Sequence, residues 1–225
     1  ARLCLLIYVA GYLVRRNRQL RESISGFIPP IIILCITCGL LLFEPDYGAS
    51  VVLLLSIMPM LYSAGARIRD FAIFAAISMI GMTVIAFLTP ERIERLYTFL
   101  EPWEYSQQGG FQLTQSLIAF GRGDWFGVGL GNGVQKLFYL PEVHTDFIFA
   151  VLVEELGLFG ALVMILLFTI LVVRIFQIAL KAARLERLFE AYLSIGIGSW
   201  LAIQTCINIG VNIGALPTKG LTLPL

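Results

Sequence analysis

Charge is scarce in this chain: Asp, Glu, Lys and Arg make up only 14% of its 225 residues, against 58% hydrophobic residues, and the mean hydropathy is +0.86. A water-soluble domain carries about a quarter charged residues, so this composition fits a protein whose solvent is lipid. No basic patch with interleaved aromatics accompanies the net charge of +1, which removes the electrostatic footprint of a nucleic-acid binder. Histidine is nearly absent too, and His144, the single one, has no second histidine with which to build a metal site. Cysteines number four. Cys35 and Cys38 form a CxxC inside an apolar helical run with no neighbouring strand or histidine, so they read as packing residues rather than as a redox or zinc pair. The start of the chain shows no basic segment followed by a small-residue cleavage site, hence no visible signal peptide, and Ala1 is not expected to be a native start.

What the chain has in abundance is apolar length. Uncharged runs occupy Phe27 to Phe43, Ala49 to Ala66, Phe71 to Pro90, Leu156 to Val173 and Ala191 to Thr218. Each is about what spans ~30 Å of hydrocarbon at 1.5 Å per residue. Leu3 to Val14 adds a sixth, shorter run, too short to span by itself. The expectation is an all-α, polytopic transmembrane bundle of about six spans, forming one membrane domain over residues 1–225.

Lys and Arg accumulate in cytoplasmic loops, and their placement sets the orientation. Of the 16 basic residues, four (Arg15, Arg16, Arg18, Arg21) lie in one connection, two (Arg67, Arg69) in another and four (Arg174, Lys181, Arg184, Arg187) in a third. The alternate connections, Glu44-Pro45-Asp46 and the long segment 89–145, are therefore expected to face outward. That long segment is rich in aromatics, among them Trp103, Tyr105, Phe111, Trp125 and Phe126, which suits folding back onto the bilayer surface. From Phe111 to Phe120 the pattern predicts a short interfacial or re-entrant helix with Gln112, Gln115 and Ser116 on its polar side. Gly127, Gly129, Gly131 and Gly133 follow, then Lys136. Such glycines read either as a flexible turn or as a backbone cradle for a pyrophosphate or sugar. With no βαβ unit in sight, a dinucleotide fold does not fit.

The stretch FYLPEVHTDFIFAVLVEELG, Phe138 to Gly157, sets Glu142, His144, Asp146, Glu154 and Glu155 at the mouth and upper part of an apolar helix. A carboxylate near hydrocarbon costs roughly 2.5–3.5 kcal/mol on insertion scales, so it marks function when it faces a cavity or a partner. Asp146 could cap its helix and act chemically as well. Asp146 and Glu154 share a helix face about 12 Å apart, wider than the roughly 5–9.5 Å of a paired acid/base device, so a single general base is favoured. For Glu154 and Glu155 a structural role, partnering a polar or basic group inside the bundle, stands beside a substrate role. His144 reads as an orienting donor. Gln204, Asn208 and Asn212 recur every four residues as a stripe that must turn inward, because lipid cannot satisfy amides. Ser194, Gly196, Gly198 and Ser199 allow close helix approach.

GLGNGVQKLFYLPEVHTDFIFAVLVEELG (Gly129 to Gly157), FQLTQSLIAFGRGD (Phe111 to Asp124), EPDYG (Glu44 to Gly48) and NIGALPTKGLTLPL (Asn212 to Leu225) closely resemble the SEDS family of shape, elongation, division and sporulation proteins. Pro217 to Pro224 favours its division branch. The resemblance implies a multi-pass enzyme of the bacterial cytoplasmic membrane, at the division septum, that polymerises lipid II with loss of undecaprenyl pyrophosphate and inversion at the sugar carbon. It implies that Asp146, in the family's His-Thr-Asp-Phe motif, is the catalytic base. Lys136, Arg122 and Lys219 are then expected to hold phosphate or carboxylate charge, with His144, Glu154, Asn208 and Asn212 as further substrate contacts. A divalent cation at the pyrophosphate would be compatible, but the sequence requires none. A class B penicillin-binding transpeptidase and other division proteins are the implied partners. Family members also carry about three helices before this region and a glycine/serine-rich stretch with a last helix after it, so the chain is expected to be truncated at both ends. A lipid II flippase, or a scaffold that recruits and activates the transpeptidase, are the competing readings.

Overall fold

The computed structural model describes residues 2–22, 26–44, 46–88, 98–106, 110–134, 146–217 and 223. Among them the regular structure is helical: α1 (Arg2–Arg15), α2 (Asn17–Glu22), α3 (Ile28–Phe43), α4 (Tyr47–Ser63), α5 (Ile68–Leu88), α6 (Phe111–Gly123), α7 (Ile148–Arg184) and α8 (Leu188–Asn212). Each apolar run read from the sequence coincides in the main with one helix, and the short helix expected from Phe111 is α6. By length and composition, α7 and α8 are long and apolar enough to cross a membrane, while α3 and α4 are shorter apolar helices.

Local chemistry sets several boundaries. Pro29 and Pro30 open α3, where a missing N–H costs nothing because the first turn has no acceptor for it. Asp46 caps α4, its carboxylate accepting from the Ala49 N–H at 2.9 Å, and it lies 3.8 Å from the Arg2 guanidinium. The acidic turn before α4 is thus a helix boundary. At the other end of the chain, Gly214 (φ 71°) closes α8 in the left-handed conformation, and the Ala215 N–H reaches back to the Gly210 carbonyl at 2.8 Å.

The chain divides into two compact units, Ala1–Gly81 with Thr169–Ile203, and Met82–Phe168 with Gln204–Leu225. In the first, α1 buries Leu6, Val9 and Leu13 while α4 buries Leu53, Ile57, Met60 and Leu61, each set at helical spacing. Leu20, Phe27, Leu34 and Tyr192 complete that core. Gly196 sits so close to Met60 that a Cβ there would lie 2.5 Å from the sulfur, which accounts for the small residue at this point of α8. The second unit has smaller apolar clusters, one around Ala119, Phe147, Ala150 and Val211, another around Phe149, Val153 and Ala161. Phe120 of α6 joins both and meets the Phe149 ring at 6.0 Å between centroids.

Helix α7 departs from the sequence expectation. Hydropathy located a span from Leu156, whereas the helix begins at Ile148, runs to Arg184 and is broken at Gly157, whose φ of 68° and ψ of −169° no helix contains. Hydropathy registers only the apolar part after the break; the turns that carry Glu154 and Glu155 are helical but too polar to score.

A break in a helix orphans backbone groups on both sides, at a cost of roughly 2–7 kcal/mol for each one left unpaired in an apolar medium. Here the segment after α6 supplies the partners. Val128 and Gly129 donate to the carbonyls of Glu154 and Glu155 at 3.0 and 3.1 Å. In the opposite sense, Leu158 and Phe159 donate to the carbonyls of Asp124 and Trp125 at 2.9 and 3.2 Å. This crossing requires bare backbone. A Cβ on Gly157 would lie 2.5 Å from the Gly127 nitrogen, and one on Gly127 (φ 77°) would collide with the Glu155 carbonyl.

Candidate functional site

The turn that leads into α7 carries Asp146, half-buried, immediately before the buried Phe147. Phe147, Phe149 and Ala150 anchor the turn from below in the two apolar clusters. The backbone is held from above by amides. Asn208 donates from Nδ2 to the Asp146 carbonyl at 2.9 Å, and Asn212 donates to the same oxygen at 3.1 Å. A carbonyl oxygen has two lone pairs, and both are used. In the other direction Asn212 Oδ1 accepts from the Ala150 N–H at 3.2 Å, a donor of the first turn that also reaches the Phe147 carbonyl at 3.0 Å. Asn212 Nδ2 also donates to the Asn208 carbonyl at 2.9 Å, and the Ser116 hydroxyl of α6 donates to the Asn212 carbonyl at 2.8 Å. Asn208, Asn212 and Ser116 are all at most 1% exposed.

Two turns further along, Glu154 is fully buried. Its carboxylate lies 3.4 Å from Arg122 at the end of α6 and accepts from the Val134 N–H at 3.2 Å. Arg122 keeps 45% of its side chain exposed, so one end of the pair touches solvent or lipid headgroups while the other lies inside the protein. Desolvating a carboxylate costs several kcal/mol, and the guanidinium and the backbone donor offset that cost here.

Of the residues singled out from the sequence, Asp146, Arg122, Glu154, Asn208 and Asn212 all fall in the second unit, in two groups: Asp146, just before α7, with Asn208 and Asn212 of α8, and Arg122 of α6 with Glu154 of α7. Lys136, Glu142, His144 and Lys219 lie outside the described residues. The polar stripe turns inward as expected, Gln204, Asn208 and Asn212 all being buried. Both asparagine amides are engaged with backbone. The glycine run has a similar outcome. Its N–H groups at Gly127, Val128, Gly129, Asn132 and Val134 all donate within the protein, and a Cβ on Gly127 or Gly133 would meet the broken helix, whereas one on Gly131 would meet nothing within 4 Å. Sequence reasoning named both Arg122 and Glu154 but did not pair them. Spacing within one helix offers no signal for a partner on another. Among the described residues no cluster of three or more His, Cys, Asp or Glu could hold a metal ion.

Among the described residues the regular structure is helical, and two helices long and apolar enough to cross a membrane, one of them broken and cross-tied after an amide-clamped acidic turn, define a helical protein with a polar site built on a discontinuous helix. Residues 1–225 match the cell cycle protein family FtsW/RodA/SpoVE, and the chain belongs to that family. The protein named "probable peptidoglycan glycosyltransferase FtsW" of Nitrosococcus halophilus is 51% identical over 225 residues, covering 100% of this chain and 58% of that protein. Its namesake in Legionella pneumophila is 52% identical over 224 residues, covering 100% and 57%. The chain therefore spans less than two thirds of the length of these curated relatives. Among solved structures, a chain from work on the structural coordination of polymerization and crosslinking by a peptidoglycan synthase complex superposes with a TM-score of 0.75 at 26% identity, covering 100% of this chain and 61% of that one. The rod shape determining protein RodA of Thermus thermophilus shares the fold, with a TM-score of 0.58 at 24% identity and coverage of 98% and 56%.

Proposed function

We propose that the chain forms part of a peptidoglycan glycosyltransferase that polymerises lipid II into glycan strands at the division septum of the bacterial cytoplasmic membrane, with Asp146 as its general base. The observation that carries the reading is the clamped turn: two buried amides hold the backbone of a half-buried aspartate. The names of the relatives, at about half identity over the whole chain, support the same chemistry. The Asp146 carboxylate takes the proton of the attacking sugar hydroxyl as that oxygen bonds to the anomeric carbon. The bond from that carbon to undecaprenyl pyrophosphate breaks on the opposite face, so configuration inverts and the pyrophosphate leaves with the bonding pair.

In this reading the apolar helices form a transmembrane bundle and the 89–145 segment faces outward, as the basic residues suggest. Lys136, Arg122 and Lys219 hold the pyrophosphate or peptide carboxylates, with His144 orienting the sugar. Glu154 keeps Arg122 in place from within. A penicillin-binding transpeptidase is the partner, in keeping with the synthase complex to which the fold is similar.

General-base catalysis contributes typically 10²–10⁴-fold, and Asp146→Asn keeps the shape while removing the proton acceptor. With fluorescent lipid II and the whole protein reconstituted beside its transpeptidase, the parent should make glycan chains and the variant at least ~100-fold fewer. Polymerisation at the parental rate by Asp146→Asn would refute the assignment. Lipid II crossing liposomes without polymerisation would favour a flippase, and retained partner binding with neither activity in the parent would favour a scaffold.

A further inference from the structure

We infer that Asn212, seconded by Asn208, is a positioning residue for Asp146: it acts through the backbone of the acidic turn and does not contact substrate. The inference rests on the general-base reading of Asp146 and adds to it the device that aims the carboxylate.

The geometry restricts what residue could do this. Asn212 donates to the Asp146 carbonyl at 3.1 Å and accepts from the Ala150 N–H at 3.2 Å. A single planar amide thus bridges the Asp146 carbonyl, two residues before the helix, and the Ala150 N–H of its first turn, which it shares with the Phe147 carbonyl at 3.0 Å, a place where a local Ser, Asp or Asn usually serves as an N-cap. In this protein the cap comes from another helix, 62 positions further along the chain. A cap drawn from the same turn leaves that turn free to rotate as a unit. A cap from α8 ties it to a second helix, and Ser116 of α6 ties that helix to a third through the Asn212 carbonyl at 2.8 Å. The three elements are therefore linked in series through Asn212, whose amide holds the Asp146 carbonyl and whose own carbonyl is held by Ser116.

Only an amide meets the requirement. Aspartate at 212 would keep the acceptor for Ala150 but lose both donors and set a negative charge against the Asp146 carbonyl. Leucine would keep the volume and lose every bond. Asn208 has a narrower role, giving the Asp146 carbonyl its second hydrogen bond at 2.9 Å and presenting Oδ1 to Asn212 at 3.3 Å. With their amides engaged in this way and at most 1% of either residue exposed, both asparagines are poorly placed to read a ligand.

The test is steady-state kinetics of the whole protein in lipid nanodiscs with its transpeptidase, using fluorescent lipid II, on Asn212→Leu, Asn212→Asp, Asn208→Ala and Asp146→Asn. Loss of aim lowers kcat without touching substrate affinity, so Asn212→Leu and Asn212→Asp should lower kcat at least ~10-fold with KM within ~2-fold of the parent. Asn208→Ala should follow with a smaller fall in kcat, ~3- to 10-fold, again at parental KM. Residues that act as a unit are non-additive, so adding Asn208→Ala to Asp146→Asn should leave the residual rate of the single Asp146 variant unchanged. A raised KM at parental kcat in either asparagine variant would show substrate contact and overturn the inference, as would parental kcat and KM. Should both Asn212 variants fail to fold, Asn208→Ala decides by the same criteria. An active Asp146→Asn overturns the general-base reading itself. An inactive Asp146→Asn beside fully active asparagine variants overturns only the positioning role.

Discussion

The first unit holds the larger apolar core, the second the buried polar network around Asp146. In the first, Leu6, Val9, Leu13, Ile57, Met60 and Leu61 pack on one another, and polar links join its elements as well, among them the Tyr12 hydroxyl donating to the Gly26 carbonyl, Asn17 donating to the Tyr192 hydroxyl and Arg2 beside Asp46. In the second, Ser116, Asn208, Asn212 and Glu154 are buried, and every bond given above for these four side chains runs to backbone or to another buried or half-buried polar group. Lipid tails are as apolar as leucine, so between helices in a bilayer the hydrophobic effect gives little drive and close packing must supply it. Packing fixes a distance but tolerates small readjustments. A hydrogen bond fixes direction as well, and buried hydrogen bonds from two amides hold the backbone of Asp146.

The sharpest way to break this comparison is at the crossing of the broken helix. Gly157→Ala puts a Cβ 2.5 Å from the backbone of Gly127 and Trp125, in a conformation nearly reserved for glycine that costs an alanine about 1–3 kcal/mol before any clash. Backbone cannot step aside, so the four bonds across the break should be lost as well. The measured outcome should be a fall of ~10 °C or more in the melting temperature in nanodiscs, with polymerisation abolished. Near-parental melting would mean that the crossing does not hold the second unit together.

A smaller effect is expected from Arg122→Ala. It strips a buried carboxylate of its counter-charge, and removing one partner of a fully buried pair costs about 3–5 kcal/mol. Arg122 is half-exposed, so solvent screening reduces this to roughly 2 kcal/mol, read as a shift in the denaturation midpoint. Adding Glu154→Gln should recover part of the loss, since a neutral amide needs no counter-ion. Failure of the second substitution to recover any stability would show that charge is not what Arg122 supplies.

The smallest effect belongs to the first unit. Gly196→Ala also places a Cβ 2.5 Å from a neighbour, but that neighbour is the sulfur of Met60, the far end of a flexible side chain. Repacking should hold the cost to about 1 kcal/mol, a shift of a few degrees. Equal damage from Gly196→Ala and Gly157→Ala would erase the distinction between a core that yields and a crossing that does not.

Much of the architecture was legible in the sequence because hydropathy is a local property. Six apolar runs gave six helices, the polar and apolar residues after Phe111 gave α6, and four-residue spacing gave the inward stripe on α8. The break at Gly157 was not legible, since a single glycine among apolar residues is compatible with an unbroken helix and nothing local distinguishes the two. Nor was the Arg122 to Glu154 pair, whose members sit on different helices. Asn212 was visible as a residue that must find partners. That those partners would be the two ends of the turn holding Asp146 depends on where α8 meets α7, and no pattern within one helix carries that information.

The amide bridge also sets a timetable. Asp146 leaves the ribosome 66 residues ahead of the asparagine that will grip it. At about 5–20 residues per second, that leaves roughly 3–13 s in which the nascent chain holds its acid on an unbraced peptide. The brace on the Asp146 peptide therefore forms only once α8 has been made, and a chain stalled before Asn212 would lack it.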